Sequence, residues 1–349
     1  VTIFTSTLSS ILSLLGSTLQ LTALFPALVF VLANYLVILP YLAENPFVKQ
    51  LGKLEGGWQT AMVLAAIGVI GYTLTALNIP LIRFFEGYPY QDSLIGRSLR
   101  WGQQQQWRAI QTRLGQLKRQ QGEVKTAINQ IGRQKSLGQM TSEEHAVQYA
   151  GLDGQLKRLE TDQLDAQVQL TLNFPPEGQI LPTGMGNVIA AFENYPKDRY
   201  GIDAVALWPR LMPILDKQGY AAFVERQKLP FDFLLNLTAL TGIFAVEYMY
   251  VRLYYAGQMP WLELLVLGLA VYILYRVATT SAFYWGSTVM VAFDLHRMHL
   301  WQALLLKLPA TFADEKSRWT SISEFMIHPG KDLRPEINYQ TLADKKKDG

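Results

Sequence analysis

Four stretches of this 349-residue chain are apolar, nearly free of charge and long enough to cross a bilayer, and they constrain its fold more than any other feature. The first runs from about Leu24 to Leu42 (LFPALVFVLANYLVILPYL) without a single charge. The second runs from about Trp58 to Ile82, the third from Phe231 to about Val251, and the fourth from Trp261 to about Ala278. A hydrocarbon core of about 30 Å takes about 20 helical residues. Soluble core helices of that length carry a polar face, and these stretches carry none. Ala61, Ala65 and Gly68 share one face of the second span, where small residues permit close helix packing. Met259-Pro260 is a tight turn, so spans three and four form a hairpin. The expected fold class is an all-α membrane protein with four transmembrane helices, two plus two, around a water-soluble helical domain.

The segment between the two pairs is built differently. After Trp101, the residues Trp107, Ile110, Leu114, Leu117, Gln121, Val124, Ile128 and Ile131 follow a 3-4 heptad spacing. Gly138 and Met140 interrupt it, and Thr141-Ser142-Glu143-Glu144 matches a capping box that opens a second helix. There Tyr149, Leu152, Leu156, Leu159, Gln163, Ala166 and Leu170 repeat the spacing. Pairing Ile131 with Tyr149 puts Val124 opposite Leu156, Leu114 opposite Ala166 and Ile110 opposite Leu170. The pattern predicts an antiparallel coiled-coil hairpin with arms of about 30 residues, about 45 Å long. Gln121 and Gln163 fall in adjacent layers, where a polar pair penalises slipped registers.

Lys and Arg near the span ends set the orientation. Arg83, Arg97, Arg100, Arg226 and Lys228 flank the central segment, and Arg276 and Arg297 follow the fourth span. The loop at 257–260 has no basic residue, while the 43–57 loop carries Lys49 and Lys53 as the dissenting feature. The N-terminus, central domain and C-terminus are therefore expected in the cytoplasm. The segments read as an N-terminal Ser/Thr-rich amphipathic helix (1–22), a transmembrane hairpin (23–83), the coiled-coil hairpin (84–180), a helical motif region (181–230), a second transmembrane hairpin (231–280), and an amphipathic surface helix with a polar tail (281–349). Residues 1–20 do not read as a secretory signal, since no basic region precedes their apolar part.

Few residues offer chemistry. The chain has no Cys and four His, and it lacks P-loop, H-E-x-x-H and G-x-S-x-G motifs, so no enzyme, cofactor or metal centre is expected. Asp294-x-His296-x-x-His299 has helical ligand spacing but no evident third ligand. Gly184-x-Gly186 follows no strand, and Ile189 stands where a dinucleotide loop needs its third glycine. A net charge of +3 without a basic stripe speaks against a nucleic-acid partner.

Three groups of candidate residues remain. Ser6, Ser10, Ser13 and Ser17 form an uncharged hydroxyl face opposite Phe4, Leu8, Ile11, Leu15 and Leu19. That face reads either as an interfacial helix or as a pore lining. Glu247 lies inside span three with Arg252 near the same end, an intramembrane charge whose structural reading is an ion pair. Glu193, Arg199, Asp203 and Arg210 read as a structural charge network before span three, with Thr183 capping a helix through Tyr195, Pro196 breaking it, and Trp208-Pro209-Arg210 ending the next helix.

The run GNVIAAFENYPKDRYGIDAVALWPRL resembles a motif in a family of uncharacterised bacterial multi-pass membrane proteins. LNIPLIRFFEGYP at 77–89 and AFDLHRMHLWQALLLKLP at 292–309 resemble the same family. The resemblance implies a bacterial inner membrane or another internal membrane, and it carries over no catalytic residue. Taken together, the readings lead to an expected homo-oligomeric assembly in membrane lipid that forms a pore or channel. The alternative is a scaffold or accessory subunit that grips a protein partner through residues 101–172.

Overall fold

The computed structural model describes residues 20–53 and 56–328 of the chain, so Ser6, Ser10, Ser13 and Ser17 and the C-terminal lysine run lie outside the described residues. Among the described residues the secondary structure is helical and no strand occurs. Four helices are long and apolar enough to cross a membrane: Thr22–Leu42, Gly56–Ala76, Ala221–Ala256 and Trp261–Ala303. The chain divides into two compact units, one of residues up to Phe85 together with those from Tyr195 onward, the other Glu86–Asn194.

In the first unit the opening span is irregular. A π-helical turn at Gln20–Leu24 leads into α1 (Phe25–Ala33), and a second π turn at Asn34–Ile38 leads into a 3₁₀ turn at Leu39–Leu42. A short α2 (Pro46–Gly52) precedes α3 (Gly56–Ala76). The second apolar stretch was expected to be one helix to Ile82. It is instead interrupted at Leu77, and α4 (Asn78–Glu86) follows. Pro80 has no N–H to give the Ala76 carbonyl, which breaks the ladder there, and Asn78 ties the new start down. Its amide donates to Asp232 (3.2 Å) while its carbonyl oxygen accepts from Lys228 Nζ (3.2 Å), which pins the start of α4 to α9 (Ala221–Ala256).

The last span is longer than its apolar core implies. Beyond Ala278 the sequence turns more polar, and a separate surface helix was expected from residue 281. The structure has one continuous helix, α10 (Trp261–Ala303), of 43 residues. The hydroxyls that thin its hydropathy return to their own helix: Thr279 donates to the Tyr275 carbonyl (2.9 Å) and Ser287 to that of Phe283 (2.9 Å). Small residues Ala278, Ala282 and Gly286 line its buried face. α9 likewise starts ten residues before Phe231 and runs through Pro230.

The second unit holds two long helices, α5 (Leu94–Ser136) and α6 (Ser142–Asn173). Ser93 caps α5 by accepting from Gly96 N (3.0 Å). At α6 the capping box forms in both directions, Glu144 N to Thr141 Oγ1 (3.2 Å) and Thr141 N to Glu144 Oε2 (3.0 Å). Leu114, Leu117 and Ala166 form a buried cluster with Ile110, Leu159 and Leu170 packed against it. Gln121 is buried and donates its amide to the Leu159 carbonyl (3.1 Å).

Two helices pass through prolines that were expected to stop them. α7 (Gly184–Tyr200) continues past Pro196 for one more turn. α8 (Ala204–Lys217) contains Pro209 and Pro213. Those two lie one turn apart on the exposed side of α8, so the carbonyls they leave without a donor face water. α11 (Phe312–Ile327) closes the described chain, with Trp319 buried edge-on against Trp301 at 4.8 Å between ring centroids.

Candidate functional site

Two places concentrate polar chemistry. The first joins the end of α7, the far part of α10 and the start of α11. α7 ends in Tyr200, which has no exposed surface to speak of, and Gly201 turns the chain with φ +79°. Only glycine fits there, because a Cβ would also collide with the Lys316 carbonyl and with Thr320 of α11. The turn sets two phenols on one carboxylate. Tyr200 donates to Asp294 Oδ1 at 2.6 Å, and Tyr195 reaches both carboxylate oxygens at 3.0 and 3.1 Å. Arg297, one turn further along α10, lies over the Tyr200 ring at 4.2 Å and pairs with Glu315 of α11 at 2.7 Å. It also donates to the Asp294 carbonyl. Glu315 is buried, so this pair replaces hydration it has lost.

Burial, and then the Asp294 carboxylate, hold both phenols above the usual tyrosine range. Neither is poised as a base near neutrality, and the Asp294 oxygens are occupied by O–H donors. The cluster is a rigid tie between helices with no open nucleophile. Asp294, His296 and His299 do not converge: Asp294 faces the tyrosines, while His296 lies against Tyr220 (5.2 Å between rings). Among the described residues no group of three His, Asp or Glu side chains gathers for a metal.

The expected charge network is drawn differently. Asp203 caps α8 by accepting from Ala206 N at 2.9 Å, and Arg210 donates back to the Ala206 carbonyl at 2.6 Å. Arg199 lies 6.0 Å from the ring centres of both Tyr195 and Tyr200. Glu193 is half-buried with partners of its own. Asp294, Arg297 and Glu315 are the charges that matter here. They sit far from Tyr195 in sequence, and no spacing rule links them.

The second place lies within the spans. Asn236 of α9 is buried and donates its amide to the Thr22 carbonyl (2.8 Å), inside the first π turn. Eleven residues on, which is three helical turns and the same face, stands Glu247. Asn34, the first residue of the second π turn, donates its amide to the Phe30 carbonyl (3.1 Å). Arg252 does not complete the ion pair expected with Glu247. It donates to Tyr41 Oη at 3.3 Å and lies 5.9 Å from that ring centre. The first irregular turn of the opening span thus meets a polar side chain of α9. Asn236 and Asn34 escaped notice because a lone Asn in an apolar run carries no pattern.

Comparison with protein-family models, with curated proteins and with solved structures finds no match to this chain. Function therefore rests on this geometry. Two of the stretches quoted for their resemblance to bacterial membrane proteins do meet: Tyr195 and Tyr200 come from one, Asp294 and Arg297 from the other.

Proposed function

We propose that the chain assembles with copies of itself in a membrane and lets ions pass. The observation that carries this reading is the small-residue face of α3. Ala61, Ala65 and Gly68 are exposed, and a Cβ added at Gly68 would meet nothing within 4 Å. In lipid, where apolar surface alone gives no drive to associate, such faces let helices approach closely. Glu247 supplies an acidic group within the spans, and the hydroxyl face of Ser6, Ser10, Ser13 and Ser17 supplies a lining. By the Lys/Arg distribution, the second unit lies in the cytoplasm, and the resemblance to bacterial proteins favours an inner membrane.

The test is Gly68→Leu, read by native mass in lipid nanodiscs. The chain's own packing has room for the side chain, so the fold should survive while the assembly breaks down to smaller species, with loss of conductance in planar bilayers. Wild-type protein running as a monomer would end this reading.

A scaffold role is the second reading, and one observation favours it. We propose that α5 and α6 form an antiparallel coiled coil, supported by Ile110, Leu114, Ala166 and Leu170 meeting in one cluster. Outside that seam, Val147, Leu164 and Val168 remain exposed on α6, which suits a protein partner.

A further inference from the structure

We propose that Arg276 holds the phosphate of a membrane phospholipid whose acyl chains lie along the exposed apolar face of α10. The lipid belongs to the leaflet on the Ala303 side of that helix. The inference goes beyond ion passage and self-assembly, and it rests only on α10 crossing the membrane.

Depth is the first argument. Arg276 stands 15 residues beyond Trp261, about 22 Å along α10, and a hydrocarbon core of about 30 Å that begins at Trp261 ends about 8 Å further on. A polar cluster marks the same boundary. Lys228 pairs with Asp232 at 3.0 Å and lies 5.6 Å from the centre of the Trp285 ring, nine residues past Arg276. Arg276 thus stands just inside the hydrocarbon, where a long basic side chain turns its head toward the interface.

Charge is the second. An arginine at that depth needs an anion. Among the described residues the Arg276 guanidinium has neither an ion pair nor a hydrogen bond. The nearest acids of its own helix, Glu263 and Asp294, stand 13 and 18 residues away, and Asp294 is taken by Tyr195 and Tyr200. Arg276 is exposed, so it draws its anion from the surroundings. In a bilayer the anion at that level is the lipid phosphate, and the planar fork of guanidinium donors matches two phosphate oxygens.

Surface is the third. Leu265, Leu269 and Tyr272 are exposed 11, seven and four residues before Arg276, which puts them on its face of the helix. They make an apolar track for an acyl chain above the charge. One turn beyond Arg276, Thr280 donates its hydroxyl to the Arg276 carbonyl (3.2 Å), and Tyr284 further on is exposed at headgroup level, where amphipathic rings settle. Tyr275, next to Arg276, stacks on Phe85 of α4 at 6.3 Å between ring centres, which holds this stretch of α10 in place.

The test uses the full-length protein, stripped of lipid in detergent, and native mass spectrometry. The probes are phosphatidylglycerol and diacylglycerol with the same acyl chains, offered together at equal concentration. Wild-type protein should keep phosphatidylglycerol adducts in preference to diacylglycerol. Arg276→Gln should lose that preference, and Arg276→Lys, which keeps the charge, should retain it. Arg113→Gln, at an exposed arginine of α5, should behave as wild type. Equal retention of the two lipids by wild-type protein overturns the proposal. So does a preference that survives Arg276→Gln, or one lost alike in Arg276→Gln and Arg276→Lys. Displacement of phosphatidylglycerol by millimolar inorganic phosphate also overturns it, because the site would then be one for the free anion. Adducts are counted per chain, so no outcome depends on whether the protein is an oligomer or passes ions.

Discussion

At the level of single residues, the Asp294 cluster shows how burial turns ordinary groups into a tie. Tyr200 spends its hydroxyl on a carboxylate and its ring on Arg297. Tyr200→Phe keeps the ring and deletes the bond, and hydrogen bonds to charged groups contribute about 1.5–3 kcal/mol. We expect a loss of that size, seen as a lower thermal midpoint in detergent. The pH response has a defined sign. Both phenols titrate above their unfolded value of about 10, so the folded chain holds these protons more tightly. Their stabilisation is complete below that value and is lost as pH rises through the folded values. Wild-type protein should weaken in strong alkali, and Tyr200→Phe should weaken less steeply there. An unchanged alkaline slope would mean that the phenols titrate normally.

Among the elements, what could be read from the sequence follows from period. The four spans and the capping box at Thr141 were legible because length, hydropathy and local side-chain chemistry fix them. Heptad spacing also led to a proposed register for α5 and α6, and one part of it, Ile110, Leu114, Ala166 and Leu170, meets in a single cluster. Continuity was not legible. Ser and Thr in α10 looked like an exit from the membrane, yet their hydroxyls are satisfied on their own helix. Pro196 and Pro209 looked like stops, but a proline near a helix end or on an exposed face costs less than one in a packed interior. The Asp294 site was hidden for another reason: its partners are brought together by tertiary packing alone. For the seam, the expected register puts Val124 opposite Leu156. A Cys pair at those positions should oxidise within one chain, and this protein, having no native Cys, gives a clean background. Val124 paired with the exposed Leu164 should stay reduced. The reverse result would mean a different register or direction.

For the molecule as a whole, the feature with the widest reach is the side of the membrane on which the second unit stands. We propose from the Lys/Arg distribution that it lies in the cytoplasm, with Lys49 and Lys53 dissenting. Gln139 is exposed in the short link between α5 and α6, and Gln139→Cys would be the chain's single thiol. A membrane-impermeant maleimide added to intact cells should leave it unlabelled and should label it after permeabilisation. Labelling in intact cells would reverse the topology, and with it the side on which any partner of α5 and α6 must be sought.

The unbroken length of α10 has a mechanical consequence. Its 43 residues make a rod of about 64 Å, roughly twice the hydrocarbon thickness, with Asp294 and Arg297 near one end. A rigid rod held partly in lipid is a lever. Spans answer a mismatched bilayer by tilting, and a tilt of roughly 10° would shift a point about 30 Å along such a rod sideways by about 5 Å. That end is packed against Trp208 of α8 and tied to α7 and α11, so a tilt of α10 in lipid would have to carry these helices with it.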